Sequence, residues 1–262
     1  MATSSRFDIR PYLLVTATIV YSLWLISPLL GTPTLITRSY VSELSAVDQE
    51  FSELFRFADG LTGFMLILIG LLGFVMSRYM PTRSAGLALS AGCAAPSASP
   101  SQSAHNPQSR ALQHRTPQHR GPHSAEARPR RAAVITAFHF GFVAFGVFTI
   151  ADVISPLHCV ASIDPMCLAQ QDANLLPLAH TVHSWTSVLA SAGMVTAMVA
   201  DAWLRSGKVR VALTVATVIM LLATAAGDFG WHPYIGIVQR LQLIFSAAWM
   251  LLVARAMRQG TR

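Results

Sequence analysis

The sequence predicts an all-α polytopic membrane protein, a bundle of six transmembrane helices. Three observations predict it. Of the 262 residues 53% are hydrophobic and only 12% charged, about half the charged share of a soluble domain, and the mean hydropathy is +0.48. Six apolar runs approach or exceed the roughly 20 residues that cross a bilayer as a helix. The basic residues also alternate by loop in the way that fixes orientation.

The spans fall at about Pro11–Gly31, Gly60–Ser77, Ala132–Ile154, Ala179–Leu204, Val209–Gly227 and Tyr234–Ala256. With the N-terminus inside, Arg6, Arg10, Arg78, the arginines of 81–131, Arg205, Lys208, Arg210, Arg255, Arg258 and Arg262 all lie inside. Only Arg38, Arg56 and Arg240 fall at the outer side, where Glu43, Asp48, Glu50, Glu53, Asp59, Asp152, Asp164, Asp172 and Asp228 gather. The expected location is the cell membrane, with both tails, 1–10 and 258–262, cytoplasmic. The net charge of +7 then reflects topology, and no nucleic-acid partner is implied. The bilayer is the expected partner, and no feature points to a protein partner.

Span one carries Trp24, Ser27 and Pro28 near its outer end. It reads as a retained helix, because it is long and lacks the layout of a cleaved signal. In the outer loop 32–59, Phe51, Leu54, Phe55 and Ala58 recur at helical spacing. They predict a short surface helix leading into span two, on which Arg56 and Asp59, three apart, can pair. Gly63, Gly70 and Gly73 in span two predict close helix packing.

The stretch 81–131 differs in kind. It holds seven arginines and one acid, Glu126, among Ala, Ser, Pro and Gln, and predicts a disordered cytoplasmic linker. Its histidines, His105, His114, His119 and His123, are spaced too irregularly for a metal site, and Cys93 should be reduced. The second unit of spans covers 132–257. His139 in span three is expected to be a satisfied packing residue. Asp201 and Arg205 form an i,i+4 pair at the inner end of span four. Asp228–Pro233 is a tight outer turn, with Trp231 and Tyr234 suited to the interface.

The polar residues that call for explanation sit at the outer ends. Cys159 and Cys167 share one outer loop with seven residues between them, and that side of the membrane is oxidising. Asp164 and Pro165 supply turn chemistry, so a disulfide is expected, with free buried thiols as the alternative. His180, His183, Ser184, Ser187 and Ser191 form one stripe of span four. A helix N-terminus disfavours protonated imidazole, leaving both histidines able to accept protons or metal. Arg240, flanked by Gln239 and Gln242, lies about two turns into span six. It needs a partner there, and Asp152 or Asp59 is the expected one.

Three readings fit these groups. They form a hydrogen-bonded cap that fixes helix register, or an outward pocket for a lipid headgroup or small polar ligand, or a catalytic site. The pocket would use Asp59, Arg56, Ser187, Asp228, Gln239 and Arg240. A catalytic site would use His180, His183 and Asp152, with zinc activating water for lipid hydrolysis. No cofactor is otherwise expected, and no longer zinc signature or Gly-x-Ser-x-Gly is present. The leading expectation is a non-enzymatic, ligand-binding membrane protein, ahead of a metal-dependent hydrolase. A small-solute transporter comes third, because the mid-depth of the spans is nearly free of charge.

Several motifs resemble a bacterial membrane-protein family catalogued as domain of unknown function 998. They are Ser39–Ser45, Leu54–Gly60, Asp152…Pro156…Cys159…Asp164-Pro-Met-Cys167, His180-Thr-Val-His-Ser-Trp-Thr-Ser187 and Val238-Gln-Arg-Leu-Gln242. The resemblance covers about Pro11–Ala256 apart from the linker, whose length departs from the family pattern. It implies a six-helix integral membrane protein and no established activity. A distant similarity of that family to six-helix lipid-remodelling proteins points toward lipid.

Overall fold

The computed structural model describes residues 8–32, 36–79, 123–227 and 234–259. Helix α1, Arg10–Tyr21, has Pro11 in its first turn, where a missing N–H costs nothing. It tightens into a 3-10 segment, Leu23–Leu30, that contains Pro28 and stops at Gly31 with φ +68°. The proline ring clashes with the carbonyl four residues back in an α-helix, so span one changes helical type near Trp24. Glycine tolerates the left-handed stop.

Helix α2 runs unbroken from Ser52 to Tyr79. The expected surface helix and span two are therefore one element. Arg56 pairs with Glu53 at 2.9 Å rather than with Asp59, and its Nη2 also donates to the Val153 carbonyl at 3.2 Å. Helix α3 spans His123–Ile154, so the end of the stretch read as linker is helical. Residues 80–122, with Cys93, His105, His114 and His119, lie outside the described residues.

Helix α4, Pro165–Asp172, replaces the expected turn. The Asp164 side chain accepts from the Met166 N–H at 2.8 Å, and Pro165 takes the first helical position, a normal N-terminal signature. Helices α5 (Leu178–Arg205), α6 (Lys208–Gly227) and α7 (Ile235–Gln259) complete the fold. The α6–α7 turn, with Asp228 and Trp231, lies outside the described residues. Six helices are long and apolar enough to cross a membrane. The chain is a multi-pass, all-α membrane protein, and the described residues contain no strand.

The six long helices form a ring in chain order. Each packs on the next, and α7 closes the ring against α1. The seams between α2, α3 and α5 are tight because glycines face backbone. A Cβ on Gly63 would stand 2.7 Å from the Gly146 carbonyl oxygen, and one on Gly141 2.6 Å from the Ala197 nitrogen. These are the close approaches that small residues permit in membrane helices.

One end of the ring is filled by Leu14, Phe142, Met198, Trp249 and Met250, with the Phe142 and Trp249 rings stacked 5.6 Å apart. Near this basic end, Asp201 is fully buried and meets Arg205 at 3.3 Å, as the spacing predicts. It also binds Arg210 and the Trp249 indole N–H at 3.1 Å. His139 is a packing residue, held between Phe74 and Phe138. Its Nδ1 has no partner among the described residues, so it is not the satisfied histidine that the sequence predicts.

Candidate functional site

The other end of the ring, where the cysteines lie, is hollow. It holds a partly open cavity of about 1010 Å³ reached by side chains from all six long helices. The segment 36–51 and the loop 155–164 close over it and are joined to each other by backbone and side-chain bonds. The Val47 N–H donates to the Leu157 carbonyl at 2.9 Å.

Glu43 is the knot of this roof. Its carboxylate accepts from the Tyr40 N–H at 2.9 Å, the Ser162 N–H at 3.0 Å and the Ser162 hydroxyl at 2.6 Å. Burial pushes its carboxyl above the ordinary value of 4.5, and the Ser162 and Tyr40 donors offset only part of that rise. Below it, Cys159 and Cys167 stand at disulfide distance, with Cα atoms 6.0 Å apart.

Arg240 holds the roof from the opposite side. Its Nη1 donates to the carbonyls of Ile36 (3.0 Å), Ser39 (2.9 Å) and Gly236 (3.0 Å). Gln239 accepts from the Val41 N–H. The expected ion pair of Arg240 with Asp152 or Asp59 is not formed. Asp152 on α3 lies across the ring from α7, with the cavity between them. The irregular roof backbone, by contrast, presents carbonyls that need donors, and a guanidinium supplies several. Arg240 is thus a clamp and not a wall of the cavity.

Asp152 organises the facing wall. Its carboxylate accepts from the hydroxyls of Thr186 and Ser187, the latter at 2.9 Å. His183 Nδ1 stands 3.8 Å from Asp152 Oδ1, 3.1 Å from the Ser155 carbonyl and 3.3 Å from the Asp152 carbonyl. Every one of these neighbours is an acceptor, so Nδ1 carries the proton. The His158 N–H donates to His180 Nδ1 at 3.2 Å, which leaves the proton on Nε2, facing Gln171 Oε1 at 3.2 Å. Both nitrogens of His180 are therefore engaged. A zinc ion held by both histidines would require His180 to abandon those bonds. Among the described residues no three His, Cys, Asp or Glu side chains converge as metal ligands.

The fold thus brings together Asp59, Arg56, Asp152, His180, His183, Ser187 and Gln239 around one cavity. It excludes Arg240 from it. Asp228 lies outside the described residues. Glu43 and Ser162 also line the cavity and Thr186 bonds Asp152, and the sequence does not single them out as site residues. The only sequence signal for Glu43 is an acid set among small polar residues in Ser39–Ser45.

A family model described as "Protein of unknown function (DUF998)" matches residues 123–256, just over half of the 262 residues. The chain belongs to this family. The DUF998 match takes in α3 to α7, hence the cysteine pair, the His180–Ser191 stripe and Arg240. The roof segment with Glu43, and α2 with Asp59, precede it. No curated protein and no solved structure matches the chain.

Proposed function

We propose that this DUF998 protein binds a lipid headgroup or a small polar molecule in the cavity, and that the cysteine end faces outward across the cell membrane. The cavity carries this reading. Its volume, about 1010 Å³, matches the upper range of small-molecule sites. Its lining is mixed, with polar residues such as Asp59, Asp152, His183 and Ser187 and apolar ones such as Val20, Leu221 and Leu243. Such a lining suits an amphiphile. The orientation is supported by the basic residues at the opposite end, Arg10, Lys208, Arg255 and Arg258 among them.

Binding is favoured over zinc-assisted hydrolysis because both ring nitrogens of His180 are already engaged, by the His158 N–H and by Gln171, which leaves no free histidine pair to hold the metal. It is favoured over transport because the polar groups gather at one end of the ring rather than at mid-span.

The test is extraction of small molecules from the full chain purified in an uncharged detergent, beside Ser187→Trp, whose indole would occupy the cavity. Mass spectrometry should find a bound lipid or polar molecule in the parent protein, reduced about tenfold or more in the variant. Equal content in two equally folded proteins would sink the proposal.

A further inference from the structure

The cavity wall built by α2, α3 and α5 offers acceptors and few free donors. Four carboxylates line the cavity, those of Glu43, Asp59, Asp152 and Asp172, against the two guanidiniums of Arg38 and Arg56. Arg56 is already held by Glu53 and the Val153 carbonyl. Asp59 is different from the other acids. It lies seven residues into α2, roughly 10 Å from the helix start at 1.5 Å per residue, and no donor among the described residues meets its carboxylate. Asp152 lines the same cavity. A carboxylate in such a place needs a counter-charge.

His183 supplies a second and independent observation. It is 5% exposed and lines the cavity. With the proton on Nδ1, Nε2 presents a lone pair on the far side of the ring. That atom is buried and has no hydrogen-bond partner among the described residues. A buried acceptor left unmet is costly and marks a place where a donor belongs.

We infer that this wall binds a primary ammonium group, with N–H donors directed at Asp59 and His183 Nε2 and with Asp152 supplying a further negative charge. The inference rests on the reading of the cavity as a binding site and names its ligand class. A positive charge reduces the surplus of carboxylates, and an ammonium has three donors and no acceptor, the complement of this wall. Apolar residues of the lining, Val20, Leu221 and Leu243 among them, take the body of the same molecule. The ligand is therefore an amine on a hydrocarbon body, supplied either as an aminophospholipid head or as a free hydrophobic amine. A quaternary ammonium carries the charge without the N–H donors and leaves His183 Nε2 unmet.

Native mass spectrometry of the full chain in an uncharged detergent tests this with chain-matched probes. These are tetradecylamine, tetradecyltrimethylammonium and tetradecanol, with lysophosphatidylethanolamine beside lysophosphatidylglycerol. A charge-assisted hydrogen bond is worth about tenfold or more in affinity. Retention of tetradecylamine or lysophosphatidylethanolamine should therefore exceed that of the matched alcohol or glycerol lipid by at least about that factor. Retention of lysophosphatidylethanolamine alone assigns the site to a lipid head, and of tetradecylamine alone to a free amine. Asp59→Asn should abolish the preference, and His183→Phe should erase the distinction between the primary and the trimethylated amine. Equal retention of amine and alcohol, or an unchanged preference in a folded Asp59→Asn protein, overturns the inference while leaving cavity binding intact. Failure of every probe to bind, with no difference between the parent and Ser187→Trp, overturns the cavity reading itself.

Discussion

Glu43 shows how one buried acid can hold two loops. Its three donors come from both halves of the roof, Tyr40 on one side and Ser162 on the other. Burial raises its carboxyl above 4.5, so the folded protein binds that proton more readily than the unfolded chain. The contribution of Glu43 to roof stability is then full below the unfolded value and declines as pH rises through the folded one. Amide hydrogen exchange of 36–47, corrected for intrinsic rates, should show protection falling as pH rises above 4.5 in the parent and nearly constant in Glu43→Gln. Identical pH profiles for the two proteins would rule out this role. Asp201 is the contrasting case, a fully buried carboxylate answered by Arg205, Arg210 and Trp249. The spacing of Asp201 and Arg205 makes their pair legible in sequence. The other two partners come from neighbouring helices, and no local pattern announces them.

At the scale of elements, the roof 36–51 is a loop made rigid by its supports rather than by its own secondary structure. Only the short 3-10 turn Ser42–Ser45 lies within it. Gly236 allows α7 to come up against it. The Gly236 N–H donates to the Thr37 carbonyl at 3.0 Å. A Cβ there would stand 2.4 Å from the Ile36 carbonyl oxygen and 2.7 Å from that of Ser39. Those oxygens belong to backbone and cannot turn aside. Gly236→Val should therefore lift the roof, with faster exchange across 36–45 and a loss of about 1–3 kcal/mol, the usual cost of overpacking. An unchanged melting temperature and exchange pattern would show that α7 can move freely instead. The helical spans were legible because bilayer-crossing runs are long and apolar. The fusion of the surface helix with span two was not, because amphipathic and fully apolar periodicities look separate along the chain even when one helix carries both. Asp164–Pro165 likewise reads as a turn until the tertiary structure shows the helix that follows it.

At the scale of the molecule, a closed ring of six helices is packed at one end and hollow at the other. The glycine seams draw α2, α3 and α5 together, and the large side chains around Trp249 and Phe142 fill the basic end. The hollow end is spanned by the roof and braced by the Cys159–Cys167 pair, which would enclose a short loop worth about 2–3 kcal/mol in loop-closure terms. If that end faces outward, an impermeant thiol reagent applied to intact cells should label Cys159 and Cys167 only after reduction, and the reduced protein should melt at a lower temperature. Labelling without reduction would remove the disulfide, and labelling of Cys93 under the same conditions would invert the orientation.

The sequence by itself determined the class of the protein, the number of its spans and the end at which its acids gather, and it pointed to Cys159 and Cys167 as a pair, which stand at disulfide distance. Those features rest on length, hydropathy and charge, which act locally and leave a linear record. Only the tertiary structure decided who meets whom. Arg240 binds roof carbonyls because α7 stands across the ring from Asp152. His183 is left with one unmet nitrogen because α3 presents oxygens to the other. Each of these outcomes depends on the order of helices around the ring, and that order is set by packing between residues far apart in the chain.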